Sequence, residues 1–187
     1  MIRLFLPLLM MFSGLSGLGA QDLSGEAARV EMLLKLCTAN RGYAAAGIDT
    51  FRIAIVYDRT DSASTRLAIR YRDLIGQMPE LPFRSIPNAI SLSAATASDS
   101  LNWPGLHAVI GIPGDAAAAA TLLAKCNAHQ VLSLTTSREL FERGFAIGVY
   151  MRPDQQPEIW FNIPVLKNEG AIYTREILEL VTQVFSP

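Results

Sequence analysis

Three polar loops, each directly after an apolar run, hold the side chains best suited to bind something. Asp58, Ser62 and Ser64 follow Phe51–Tyr57 (FRIAIVY); Gly111, Gly114 and Asp115 end or follow residues 107–112 (HAVIGI); Thr135 and Ser137 end or follow residues 131–135. If the three runs are parallel strands, these loops lie at their carboxyl ends, where open α/β sheets bind ligands. Asp58, Ser62, Gly111, Gly114, Thr135 and Ser137 are therefore the candidate ligand-binding residues. The turn Gly111-Ile112-Pro113-Gly114-Asp115 places glycines ahead of a helix, so its N–H groups suit an anion. Asp115 repels that anion, however, and no Lys or Ser/Thr stands in a P-loop pattern. The same residues are what a plain strand-to-helix turn with a capping Asp requires.

Catalytic groupings are sparse. His107 opens an apolar run and His129 sits among turn residues; neither is spaced from a carboxylate or a second His as a zinc site would need. There is no GxSxG elbow and no paired acidic motif. Ser133, His107 and Asp58 form a trio of types that any α/β protein supplies. No catalytic residue, metal ligand or cofactor is assigned. Arg66, Arg70 and Arg72, with Arg59 nearby, read as a solvated helix face.

The chain has 187 residues, of which 50% are hydrophobic and 18% charged, with 16 Lys and Arg against 17 Asp and Glu. That apolar content excludes disorder, and a net charge of −1 with no basic stripe argues against a nucleic-acid partner. Residues 1–20 (MIRLFLPLLMMFSGLSGLGA) carry a single charge at Arg3, an apolar core, and small residues up to Ala20, the pattern of a cleaved secretory signal peptide. No later run is long and apolar enough to span a bilayer. An exported chain meets oxidising conditions, so Cys37 and Cys126 are either a disulfide or two small buried hydrophobes.

These side chains need a scaffold, and the pattern supplies one. Residues 25–40 have helical spacing, with Ser24 as N-cap, and Phe51–Tyr57 reads as a strand buried on both faces. Residues 65–75 make a surface helix. Residues 82–89, with Phe83 and Ile86 between prolines, read as an edge strand or extended connection, and the Ser-Ala-Thr stretch after them is ambiguous. Residues 107–112 and 131–135 are further buried strands, each followed by a helix, 116–127 capped by Asp115 and 138–143 capped by Thr136 or Ser137. Residues 146–151 and 158–161 flank a turn and form an antiparallel hairpin, in which Trp160 is a candidate outward-facing partner contact, with core packing as the default. The end of the chain reads as two helices broken near Gly170, the second over 175–185. The expected fold is α/β, a three-layer sandwich with a largely parallel central sheet and an antiparallel C-terminal hairpin, as one domain over 21–187.

The C-terminal half, VLSLTTSRELFERGFAIGV, a turn, and EIWFNIPVLKNEGAIYTREILELVTQV, resembles the YfiR family of exported proteins. That family runs from a "vLtv" strand through "F...GG.I.F" to a strand carrying F-x-I-N, a helix, a Gly eight residues after the Asn, and a final "LL.LA" helix. Asn162 and Gly170 have that separation, Ile159 takes the aromatic position, Phe161 the Ile, and Ile177, Leu178 and Leu180 the terminal helix. His107 opening HAVIGI is similar to the family's "cHilfI" strand, and Phe51–Tyr57 to its first strand. Phe145 stands at the family's second Gly and Leu106 at its Cys, and the family's Trp-Pro pair after the first helix is missing. The resemblance implies a periplasmic, often dimeric, non-catalytic protein. The best-known member represses an inner-membrane diguanylate cyclase by binding its periplasmic sensor region; others are associated with sensor kinases or outer-membrane transport. The expectation is thus a regulator of a membrane signalling protein. A small-solute-binding component of a transport or sensing system is the alternative that the strand-end loops suggest.

Overall fold

The computed structural model describes residues 21–45, 47–78, 88–94, 101–112, 114, 116–154 and 156–185. The expected signal peptide at 1–20, the prolines at 82 and 87, and the capping Asp115 lie outside these residues. Helix α1 (Gln21–Ala39) buries Val30, Leu33, Leu34 and Cys37 on one stripe, the i, i+3, i+4, i+7 spacing of an amphipathic helix. Ser24 lies inside α1 rather than capping it, since nothing in the sequence from Gln21 to Ser24 (QDLS) breaks a helix. A short α2 (Arg41–Ala45) follows.

Strand β1 (Phe51–Tyr57) leads through Asp61, whose carboxylate accepts from the backbone N–H of Ala63 and Ser64 and so caps α3 (Ser62–Gly76). Then come β2 (Asn88–Ala94), a 3₁₀ turn (Trp103–Gly105), β3 (Ala108–Gly111), α4 (Ala116–His129), β4 (Leu132–Thr135) and α5 (Arg138–Glu142). The chain finishes with β5 (Ile147–Met151), β6 (Pro157–Asn162), α6 (Ile163–Asn168), α7 (Arg175–Leu178) and β7 (Gln183–Phe185). These strands form one sheet in the order β2-β1-β3-β4-β5-β6-β7. Every neighbouring pair is parallel except the β5–β6 hairpin, where Val149 faces Ile159.

Helices cover both faces, giving the three layers expected. On one side α1 and α3 pack Leu33, Leu34, Tyr71 and Ile75 against Ile53, Ile55, Ile110 and Leu134. On the other, α4 packs Leu122 and Leu123 with Trp103 against Ala54, Val56 and Val109. Each fully buried Leu, Ile or Val contributes about 1.5–3 kcal/mol relative to exposure, which is why near-continuous apolar strands choose this two-sided cover.

The structure corrects two expectations and decides an open one. Strand β2 (Asn88–Ala94), at one end of the sheet order, runs into the Ser-Ala-Thr stretch that the pattern left ambiguous, while residues 82–87 of the expected edge strand or extended connection lie outside the described residues. The helix expected over 175–185 stops at Leu178, and residues 183–185 pair instead with β6, Val184 opposite Phe161. Thr182 fixes that pairing by donating its N–H to Ile159 O and accepting the Ile159 N–H on its hydroxyl. Val, Thr and Phe fit a pleated surface better than a helix turn, and this tertiary pairing decides between them. Cys37 and Cys126 are both free and buried, in the cores on opposite faces of the sheet, so no bridge joins them. Trp160 is 4% exposed rather than outward-facing: Phe141 of α5, Tyr150 of β5 and Phe185 of β7 enclose its ring at 4.7–5.8 Å, with the Arg138 guanidinium 4.6 Å over it.

Candidate functional site

The parallel register sets Val56, Gly111 and Thr135 at one level, so the strand-end residues share one edge of the sheet. They fall into two groups. In the first, Asp58 Oδ1 accepts from Thr60 N at 2.8 Å and Thr60 Oγ1 at 2.7 Å, which holds its carboxyl below the usual range. Asp58 N donates to Ser64 Oγ at 3.0 Å, and exposed Ser62 accepts from Arg66 at 3.3 Å. Gly114 lies so close that a Cβ there would stand 2.6 Å from Asp58 Cβ. In the second group, Thr135 Oγ1 donates to Gly111 O at 3.1 Å and accepts from Ser137 N at 3.0 Å. Ser137 Oγ accepts from Leu140 N to cap α5, and Ser137 O accepts from Tyr150 OH. A Cβ on Gly111 would meet the Phe145 ring at 2.4 Å.

The polar groups of this edge are thus largely engaged with one another. Thr135 is fully buried, and Phe145 fills the space over Gly111. A groove of about 290 Å³ lies instead near the amino ends of β1 and β2, lined by Arg52, Ile53, Ile90, Leu101, Asn102 and Leu106. Ser133, His107 and Asp58 do not converge. The Ser133 hydroxyl is committed to Glu169, His107 Nδ1 accepts from Arg52 N at 2.9 Å at the amino end of β1, and Asp58 is at the opposite end of that strand. Among the described residues no group of three or more His, Cys, Asp and Glu is arranged to hold a metal ion, and no helix is long and apolar enough to cross a membrane.

No family model matches the chain, and no curated protein matches it. Solved structures do. A conserved domain protein from Vibrio cholerae O1 biovar El Tor str. N16961 superposes with a TM-score of 0.55 at 10% identity, over 83% of this chain and 60% of that one. The ABC domain of Streptococcus pneumoniae, solved in complex with L-Trp, gives 0.59 at 10% identity, over 84% of this chain and 60% of that one. At this identity the likeness is one of fold, and the chain spans 60% of each of these proteins' lengths. Neither bears on the YfiR resemblance.

The two positions on which that resemblance turns both have local structural work. The Asn162 side chain accepts from Val165 N and caps α6, and Gly170 takes φ +71° just past its end, a conformation that favours glycine. Between them lies a residue that the sequence did not single out. Glu169 is 2% exposed, and its Oε2 and Oε1 accept from Ser133 N at 2.8 Å and Ser133 Oγ at 2.6 Å. Burial pushes this carboxyl up to about 7 against the pull of those two bonds. A Glu beside a helix-ending Gly reads as surface, so no signal in the pattern marks it.

The arginine face of α3 is also corrected at one position. Arg70 turns toward α1, with its Nε 2.6 Å from Glu26 Oε2 and only 32% of its side chain exposed.

Proposed function

We propose that the chain is a non-enzymatic, exported regulatory protein that binds the periplasmic part of a membrane signalling protein, a diguanylate cyclase or a sensor kinase. The observation that carries this reading is an apolar strip along the C-terminal segment. Ile172, Leu178, Leu180 and Val184 are 56%, 38%, 50% and 51% exposed, and they lead into the edge strand β7. Exposed large apolar side chains along one segment suit contact with a partner, and an edge strand offers unpaired backbone groups to it. Residues 180–185 (LVTQVF) carry no charge to protect that edge. The YfiR resemblance supports the choice of partner, and the leader-like residues 1–20 support export. The test is capture of the tagged protein from crosslinked cell envelopes with identification by mass spectrometry. Recovery of a cyclase or sensor kinase is expected; recovery of transporter subunits, or of nothing from the membrane, would overturn the reading.

A second reading is a small-solute-binding component of a transport or sensing system. It is favoured by one observation, the L-Trp bound to a protein of similar fold. Its signature is a rise in Tm with a free solute and no membrane partner.

A further inference from the structure

On the α4 face of the sheet, β2 presents small side chains. Ala54 and Val56 belong to the cluster that holds Trp103 on that face, so alternation along β1 sets Arg52 there too. The parallel register then places Ala89 opposite Arg52 and Ser91 opposite Ala54. Ala89 and Ser91 are both exposed, and across from them runs the stretch 101–106, anchored by Trp103 at 4% exposure. Side chains this short do not fill the space between strand and turn. The groove of about 290 Å³ is what remains, with Leu101 and Leu106 among its walls.

The polar groups of this groove are held in place by their own backbones. Arg52 is clamped to His107 on both sides: its N–H donates to His107 Nδ1 at 2.9 Å, and its carbonyl accepts from His107 N at 3.0 Å. The turn secures itself, with Gly105 N donating to Asn102 O at 3.1 Å and Leu106 N to Trp103 O at 3.0 Å. A Cβ on Gly105 would stand 3.0 Å from Asn102 Nδ2 and 3.8 Å from Arg52 Nη1, so the carboxamide and the guanidinium converge over this glycine. Among the described residues no carboxylate pairs with Arg52. Ser91 Oγ reaches Ile53 O only at 3.5 Å, too long to commit the hydroxyl.

We infer that this groove binds a small carboxylic acid with an apolar body, its carboxylate on Arg52 and Asn102 and its body against Leu101, Leu106 and Ala89. The guanidinium presents a planar fork that matches a carboxylate, and the carboxamide N–H adds a second donor from the opposite wall. A bare anion on an exposed arginine gains little over water, so the apolar walls must supply the rest of the affinity. The volume lies at the lower end of the about 300–1,000 Å³ usual for ligand pockets, which restricts the acid to a small one. The residues of the carboxyl edge take no part, since their polar groups are already engaged. The inference goes beyond the regulatory reading and does not depend on which membrane protein is bound.

The experiment is isothermal titration of the full chain with 4-methylpentanoate and phenylacetate, and with acetate and 4-methylpentanamide for comparison. Saturable binding of at least one of the two larger acids at one per chain is expected, at least tenfold tighter than acetate, which lacks the apolar body, and than the amide, which lacks the charge. It should weaken at least tenfold in Arg52→Gln, which removes the cation, and in Ala89→Leu, which fills the groove. Arg66→Gln, on α3 across the sheet, leaves it unchanged. Far-UV circular dichroism of each variant separates lost binding from lost folding, and either groove variant carries the test if the other does not fold. Absence of saturable binding by both larger acids overturns the site. So does acetate or the amide binding as tightly as the acids, undiminished binding by a folded groove variant, or an equal loss in Arg66→Gln. The titration uses no membrane, so its failure leaves the envelope capture to be decided separately.

Discussion

Glu169 grips Ser133 at both ends, its Oε2 on the backbone N–H at 2.8 Å and its Oε1 on the side-chain hydroxyl at 2.6 Å. Ser133 Oγ in turn accepts the N–H of Ala146 at 2.9 Å. One carboxylate thereby ties the end of α6 to β4 and, through Ser133, to the residue that opens into β5. The segment just beyond it is fastened to α1 and α2: Tyr173 OH donates to Leu36 O, Ile172 N to Asn40 Oδ1, and Arg41 N to Ile172 O. The exposed apolar strip begins in this segment, so the buried Glu169 sits at the root of the proposed contact surface.

Stability should therefore rise on mild acidification. Burial lifts the Glu169 carboxyl from 4.5 to about 7. A folded value above the unfolded one means that the stability contributed by protonation is fully present below 4.5 and is lost as the pH rises through about 7. A shift of this size corresponds to about 3 kcal/mol across that window. His107, whose pKa burial and Arg52 lower, works in the opposite sense. Urea unfolding at pH 5.5 and pH 8 should show the wild type more stable at the lower pH, and Glu169→Gln should flatten the difference. A variant that keeps the full pH dependence would remove Glu169 as its source.

Gly111 is held to glycine by space rather than by backbone conformation, because a Cβ there would stand 2.4 Å from Phe145 Cε1 and 3.5 Å from Leu140 Cδ1. Gly111→Ala should cost about 1–3 kcal/mol, the usual penalty for overpacking. The double variant Gly111→Ala with Phe145→Leu should recover part of the loss, since the clash is with the ring. Additive losses in thermal melts would instead show that something other than this contact confines the position.

The sheet was largely legible in the sequence because its central strands are apolar on both faces, and only a two-sided sheet accepts that pattern. The C-terminal strand was not. Residues 177–181 carry Ile177, Leu178 and Val181 at helical spacing, while Val181, Thr182, Val184 and Phe185 are β-branched or aromatic. What decides is the contact of Thr182 with Ile159, 23 residues away. The same unread strand supplies Phe185 to the cover over Trp160, so the sequence named core packing there without naming what packs. The candidate ligand residues come together at the carboxyl edge of the sheet, where hydrogen bonds with one another and with Thr60, Arg66, Leu140 and Tyr150 take up their polar groups. Arg70 stayed hidden because it looks like any helix-surface arginine until α1 and α3 are brought together.

Both thiols should remain unpaired. Cys37 and Cys126 lie on opposite faces of the sheet, and burial pushes both thiols well above the ordinary value, so neither forms a thiolate readily. Reaction of the non-reduced protein with a thiol reagent should give two groups after denaturation and none in the native state. Gel mobility should not change with reductant. Finding fewer than two thiols in the denatured, non-reduced protein would mean that the cores do not protect them.

The apolar strip can be separated from apolar surface in general. Leu180 and Val184 lie on it, whereas Ile69, 40% exposed, lies on α3. Surface substitutions of this kind usually change stability by no more than about 0.5 kcal/mol, so all three sites tolerate a charge without unfolding the chain. A glutamate desolvated against an apolar partner surface carries a much larger penalty. Leu180→Glu and Val184→Glu should each abolish recovery of the proposed membrane partner from crosslinked envelopes, and Ile69→Glu should leave it intact. Undiminished recovery with both strip variants would place the contact elsewhere on the protein, and loss with Ile69→Glu alone would move it to α3.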